Sequence, residues 1–119
     1  MIFKDSFTVL DKIQLLQRSI LVNSFAYYEL DQNLLSDFQY DDNAKQLAEL
    51  RRQYPEEFKK SHYYKYFHDY CSEEDNAHYT SGFDLLMRVY KADKELHRYL
   101  HLDALLAVET KQKYKMGGI

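Results

Sequence analysis

The sequence predicts a mainly α protein, a compact helical bundle formed by one domain of 119 residues. Three features predict it. Turn formers are scarce, with three glycines, two of them in the terminal Gly-Gly-Ile, and one proline, too few to punctuate many short strands. Apolar residues recur at spacings of three and four, which lays them along one face of a helix. The chain is also long enough to bury a real core.

The first helix is read from the stripe Val9, Ile13, Leu16 and Ile20, widened by Leu10 and Leu21, and is expected to run from Thr8 to about Tyr28. A short connector, residues 32–35, separates it from a second helix starting at Asp37. There Ser36 is the candidate N-cap, and Gln39 three residues on completes a capping box. This helix is expected to reach about Tyr54 with Phe38, Ala44, Leu47 and Leu50 turned inward. Pro55 stops it. Proline favours the first helical position, and Glu56 and Glu57 supply an acidic first turn, so a third helix is expected over residues 55–70. Its second half, HYYKYFHDY, is unusually aromatic, and a strand over residues 62–70 stays open as the alternative because Tyr and Phe favour strands. Residues 72–82 are polar and read as a loop. From Phe83 another stripe, Leu86, Met87, Tyr90 and His97, predicts a helix that residues 101–103 break before a last helix over 104–115. Residues 116–119 are expected to fray.

Formal net charge is −3 and the isoelectric point about 5.9, so no overall positive field draws the chain to phosphate backbones. The basic groups Arg51-Arg52, Lys59-Lys60 and 111–115 sit near helix ends or exposed faces, where they complement helix dipoles and aid solubility. One cysteine, Cys71, rules out an internal disulfide and fits a reducing cytoplasm. No run approaches a membrane span and the N-terminus lacks a signal-peptide layout, so a cytoplasmic protein is expected.

The segment YYELDQNLLSDFQYD, residues 27–41, holds the candidate site. With Ser36 as cap, Asp37, Tyr40 and Asp41 stand at i, i+3 and i+4 and project from one face of the first turn. Tyr27 and Asp31 approach from the end of the preceding helix. A flat aromatic ring could stack between the tyrosines while the carboxylates accept hydrogen bonds from an amide or a ribose hydroxyl. Each residue also has a plainer use. Acidic residues in a first turn favour the helix dipole by a few tenths to about one kcal/mol, and tyrosines pack between helices with their hydroxyls at the surface.

The spacing of Tyr27, Asp31, Asp37 and Tyr40-Asp41 resembles the N-terminal helical domain of NAD⁺-dependent DNA ligases, over residues 13–55. In that family the domain grips the nicotinamide mononucleotide (NMN) half of the cofactor. The resemblance implies that Tyr27 and Tyr40 hold the nicotinamide ring, that Asp37 and Asp41 fix its amide and ribose, and that Tyr28 stands at the phosphate-contacting position. Asn33 occupies the place where the family usually has proline, and Asn also tolerates turn geometry. Residues 56–115 would then be a helical extension of this ligase-like pair. The phrase SGFDLL, residues 81–86, is similar to ligase-related proteins of phages and their bacterial hosts.

Ligase chemistry itself is not expected. It needs a nucleophilic lysine in the motif Lys-x-Asp-Gly on a separate domain; Lys91-Ala92-Asp93-Lys94 lacks the glycine and reads as a solvated helix face. His97 and His101, four apart, have the spacing of two metal ligands but no defined third, and Cys71 with His68 or His78 has no orienting group. The rings of Tyr63, Tyr64, Tyr66, Phe67 and Tyr70 span more than one helical face. Some are core, and the others are read as an aromatic surface for a protein partner or a homodimer. Two functions follow. One is a non-catalytic, stand-alone relative of the ligase cofactor-binding domain that binds NMN or NAD⁺ as a sensor or accessory. The other is a phage or prophage protein-interaction module that kept the helical scaffold and lost the ligand. An enzyme that cleaves NAD⁺ would have only the paired carboxylates for support.

Overall fold

The computed structural model describes residues 7–70 and 80–117, with side chains described through residue 113. Its six helices are α1 (Val9–Glu29), α2 (Asp37–Gln53), α3 (Pro55–Lys59), α4 (Tyr64–Phe67), α5 (Gly82–Ala92) and α6 (Lys94–Gly117), and no strand occurs among the described residues. The fold is mainly α, as the sequence predicts. Among the described residues no helix is long and apolar enough to cross a membrane. The loop expected at 72–82, with Cys71 before it, lies almost wholly outside the described residues; Gly82 already belongs to α5.

Helix α1 is the hub, packing against α2, α5 and α6. It starts where Thr8 accepts from the Asp11 N–H at 3.1 Å and the Asp11 carboxylate accepts from the Thr8 N–H at 3.0 Å, a reciprocal cap that satisfies two orphan donors. Its inward stripe of Ile13, Leu16, Ile20, Leu21 and Phe25 joins Leu47, Phe58, Tyr66, Phe67, Leu85, Leu86, Val89, Leu100 and Ala104 in one buried cluster. The predicted cap of α2 is present: Ser36 Oγ accepts from the Gln39 N–H at 3.1 Å, and Gln39 Oε1 from the Ser36 N–H at 3.0 Å.

Five expectations are corrected. Phe38 does not turn inward; its side chain is 81% exposed, because at the second position of α2 it projects away from the face carrying Ala44 and Leu47. The helix expected over 55–70 is two short helices around a turn. Ser61 Oγ donates to the Phe58 carbonyl at 2.6 Å and accepts from Gln17 Nε2 at 2.9 Å, while Gln14 Oε1 takes the His62 N–H at 2.9 Å. A hydroxyl that competes for a helical carbonyl, with α1 amides taking over backbone partners, ends the helix. Tyr63, Tyr66, Phe67 and Tyr70 are consequently buried and Tyr64 half-buried. The sequence divided this run between core and an exposed aromatic surface; the core part extends to four of the five rings and Tyr64 is half-buried, so none of the five is left fully exposed.

The stripe after Phe83 is also shifted. Leu85, Leu86 and Val89 are buried, whereas Met87 and Tyr90 are exposed. The break falls at Asp93, not at 101–103, and so cuts through the Lys91 to Lys94 stretch. The Asp93 N–H closes α5 on the Val89 carbonyl at 2.7 Å, and its carboxylate accepts from the Leu96 N–H at 3.0 Å, opening α6. Residues 101–103 stay helical because two of the three are held and their flanks are buried. The His101 ring stacks on Phe25 at 5.1 Å, Asp103 pairs with Arg18, and Leu100 and Ala104 are buried on either side.

Candidate functional site

The reversal between α1 and α2 creates a concavity. Helix α1 ends when the N–H groups of Leu30 and Gln32 both reach the Ala26 carbonyl, at 3.2 and 2.9 Å, with Asp31 between them at a left-handed φ of 53°. Aspartate tolerates that conformation better than most residues. The chain then runs outward through Asn33, whose carbonyl accepts from Lys111 of α6, and returns into α2 at the Ser36 cap. The two helices and this connector enclose a cavity of about 590 Å³.

Five of the six residues singled out in the sequence line this cavity: Tyr27, Tyr28, Asp37, Tyr40 and Asp41. Tyr27 and Tyr28 are about half exposed, and their rings meet edge to face at 4.8 Å. Tyr40 is more enclosed. Its hydroxyl lies 3.1 Å from Ser24 Oγ, and burial raises its pKa above the ordinary tyrosine value because the phenolate would lose its hydration. Asp37 and Asp41 are exposed on one face of the first turns of α2, with Asp41 3.4 Å from Lys45. Asp31 is not among the lining residues; its place is the turn that ends α1.

The sequence reading missed several lining residues. Asn23 and Ser24 stand one helical turn before Tyr27 and Tyr28, so the i, i+4 rule applied backwards along α1 would have found them. Asn23 Nδ2 is engaged by the Ser19 carbonyl at 2.6 Å, and its Oδ1 is buried with no hydrogen-bond partner among the described residues. Leu34, Leu35 and Phe38 supply apolar wall. Tyr70, Thr80, Ser81 and Gly82 also line the cavity, and no local signal near residues 27–41 could have announced them.

Chemically, the cavity offers aromatic faces and edges, two carboxylate acceptors and a few hydroxyls. That set suits a flat, electron-poor ring bearing hydrogen-bond donors. The other constellations resolve otherwise. His97 and His101 both pack on Phe25, at 4.9 and 5.1 Å, and among the described residues no three potential metal ligands cluster. Arg51 donates to the His68 carbonyl at 2.9 Å and lies over the Phe58 ring, so it ties α2 to the α3–α4 turn.

A helical domain with an aromatic and acidic cavity between its first two helices is thus the class that fold and site define. Residues 7–61 match the family model described as the DNA ligase-like, N-terminal NAD⁺-binding domain, and this segment is related to that domain. The match covers α1, α2 and α3, slightly more than the stretch from 13 to 55 read from the sequence. No curated protein and no solved structure matches the chain.

Proposed function

We propose that the cavity binds the nicotinamide mononucleotide moiety, as NMN or NAD⁺, and that the chain works without chemistry of its own, as a stand-alone accessory or sensor in the cytoplasm. The observation that carries this reading is the convergence of Tyr27, Tyr28, Tyr40, Asp37 and Asp41 on one cavity of about 590 Å³, within the range of small-molecule sites. The tyrosine rings would flank the pyridinium, which is cationic and attracted to aromatic faces. The two carboxylates would accept from the carboxamide and the ribose hydroxyls. Lys91, in the stretch that superficially resembles an adenylation motif, is exposed at the end of α5 and is not among the lining residues. Half of a cofactor held by one domain is expected to bind with micromolar to millimolar affinity, roughly −8 to −4 kcal/mol.

A thermal-shift titration with NMN, NAD⁺ and AMP, run beside Tyr27→Ala, tests the reading. Tyr27 is half exposed, so its loss should leave the fold intact. Ligand at about one hundred times its dissociation constant adds about 2.7 kcal/mol, several degrees of melting temperature. A shift with NMN and NAD⁺ that is absent with AMP and in the variant supports the site. No shift with any ligand at about 100 mM, roughly a hundredfold above the weakest dissociation constant expected, overturns it.

The second reading, a protein-interaction module, draws on α6, where Tyr99, Leu102, Leu105 and Leu106 are exposed. It becomes the primary reading if no nucleotide binds and Leu102→Glu/Leu106→Glu abolishes a recovered protein complex.

A further inference from the structure

The cavity is not built from the ligase-like segment alone. Thr80, Ser81 and Gly82 form part of its wall, and Phe83 brings its ring to 5.8 Å from that of Tyr28. This close approach of α5 depends on the missing side chain at position 82. A Cβ there would lie 2.3 Å from Ser24 Oγ, 2.8 Å from Ser24 Cβ and 3.2 Å from the Tyr40 hydroxyl. Rotating the serine would move its Oγ, but its Cβ is fixed to the backbone of α1. A side chain at 82 must therefore push α5 outward or displace Ser24 and release the Tyr40 hydroxyl it holds. Either movement reshapes the cavity.

We propose that the first turn of α5 completes the ligand site from within the same chain, with Gly82 as the positioning residue that sets this wall against the Ser24–Tyr40 pair. The inference rests on the nicotinamide-nucleotide reading of the cavity and adds a wall from outside residues 7–61. In this arrangement α1 and α2 supply the rings and carboxylates, Thr80 and Ser81 line the facing side, where the Ser81 hydroxyl also caps α5 by accepting from the Asp84 N–H at 3.1 Å, and Gly82 fixes the separation between them. Its role is exercised through Ser24 and Tyr40, not by direct contact with the ligand.

Calorimetric titration of the full chain with NMN tests the assignment. Gly82→Ala is expected to weaken binding about tenfold or more, since small displacements of a binding wall are costly, while helical circular dichroism and a cooperative melt persist. Ser24→Gly removes the two nearest atoms that the new Cβ would strike and leaves only the Tyr40 hydroxyl at 3.2 Å, which can give by a few tenths of an ångström once Ser24 no longer holds it. The double variant Ser24→Gly/Gly82→Ala is therefore expected to bind within about threefold of Ser24→Gly alone, the coupling expected of residues in contact. General destabilisation would not be rescued by adding a glycine to α1. Should Gly82→Ala fail to fold, Thr80→Val carries the test, because it keeps the volume, leaves the Ser24 contact untouched and removes a hydroxyl from the wall; severalfold weaker binding is expected. Wild-type affinity in both α5 variants, with Tyr27→Ala still abolishing binding, overturns the role of α5 and leaves the nicotinamide reading standing. Absence of NMN binding by the wild-type chain overturns both.

Discussion

The Tyr40 hydroxyl and Ser24 Oγ lie 3.1 Å apart between α2 and α1, so a ring that lines the cavity is anchored at its polar end by a serine that is almost wholly buried. Burial raises the Tyr40 pKa from 10.0; the Ser24 hydrogen bond opposes that rise and repulsion from Tyr28 adds to it. The folded state thus favours the protonated phenol. Its stabilising effect is full below the unfolded value and is lost as pH rises through the higher folded value. Chemical denaturation of Tyr40→Phe is expected to show a cost of about 0.5–1.5 kcal/mol at pH 7. Above pH 10 the difference from wild type should shrink.

Phe38 and Phe58 have opposite environments despite equal hydrophobicity. Phe38 is 81% exposed on the rim of the cavity, whereas Phe58 is 1% exposed in the core and lies under Arg51. Phe58→Ala is expected to cost about 3–5 kcal/mol through lost burial and the void left behind. Phe38→Ala should change stability by less than about 0.5 kcal/mol. Equilibrium unfolding of the two variants distinguishes them.

The elements that the sequence revealed are those governed by neighbours along the chain. Ser36 and Gln39 cap α2 through each other, and Pro55 starts α3 with its own ring, so both starts could be read three or four residues at a time. The turn at Ser61 could not, because it depends on Gln14 and Gln17, more than forty residues earlier, which replace helical partners from across the fold. The site divides in the same way. Tyr27, Tyr28, Asp37, Tyr40 and Asp41 belong to two helices joined by a short connector, and their spacing was enough to place them together. Asp31 shares that spacing, yet its left-handed backbone assigns it to the turn. Gly82 was invisible as a site residue, since its importance is the space it leaves to Ser24, a relation between segments that no local pattern encodes.

The junction of α5 and α6 makes a sharp prediction about proline. Lys94 is the first residue of α6, where a proline costs no intrahelical donor, and the preceding Asp93 has φ −152° and ψ 88°, outside the helical region that proline disfavours in its predecessor. Lys94→Pro is therefore expected to leave the melting temperature within about two degrees of wild type. Leu102 lies in the interior of the same helix, so Leu102→Pro should cost about 3 kcal/mol or more. Had the helix broken at 101–103, Leu102→Pro would have been the milder change. Thermal melts of the two variants decide between the break positions.

Arg88 reaches from α5 to the segment after α4, donating to both Asp69 carboxylate oxygens, at 2.8 and 3.1 Å, and to the Tyr66 carbonyl at 2.9 Å. The guanidinium hydrogen bond holds the Asp69 carboxyl below its usual 3.8, with burial opposing and the positive charge assisting. A depressed carboxyl pKa stabilises the fold above the unfolded value, and that contribution disappears as pH falls through the lower folded one. Both side chains are at least a third exposed, so water screens the pair and the effect should stay below about 1 kcal/mol. Asp69→Asn is expected to lose this amount at pH 7 and to converge with wild type as pH falls through the lowered folded value. Because the same arginine also holds the Tyr66 carbonyl, Arg88→Ala should be the more damaging substitution at pH 7 and in acid. Urea unfolding of the two variants at pH 7 and across the acid range separates the ion pair, which is lost as Asp69 is protonated, from the backbone tether, which is not.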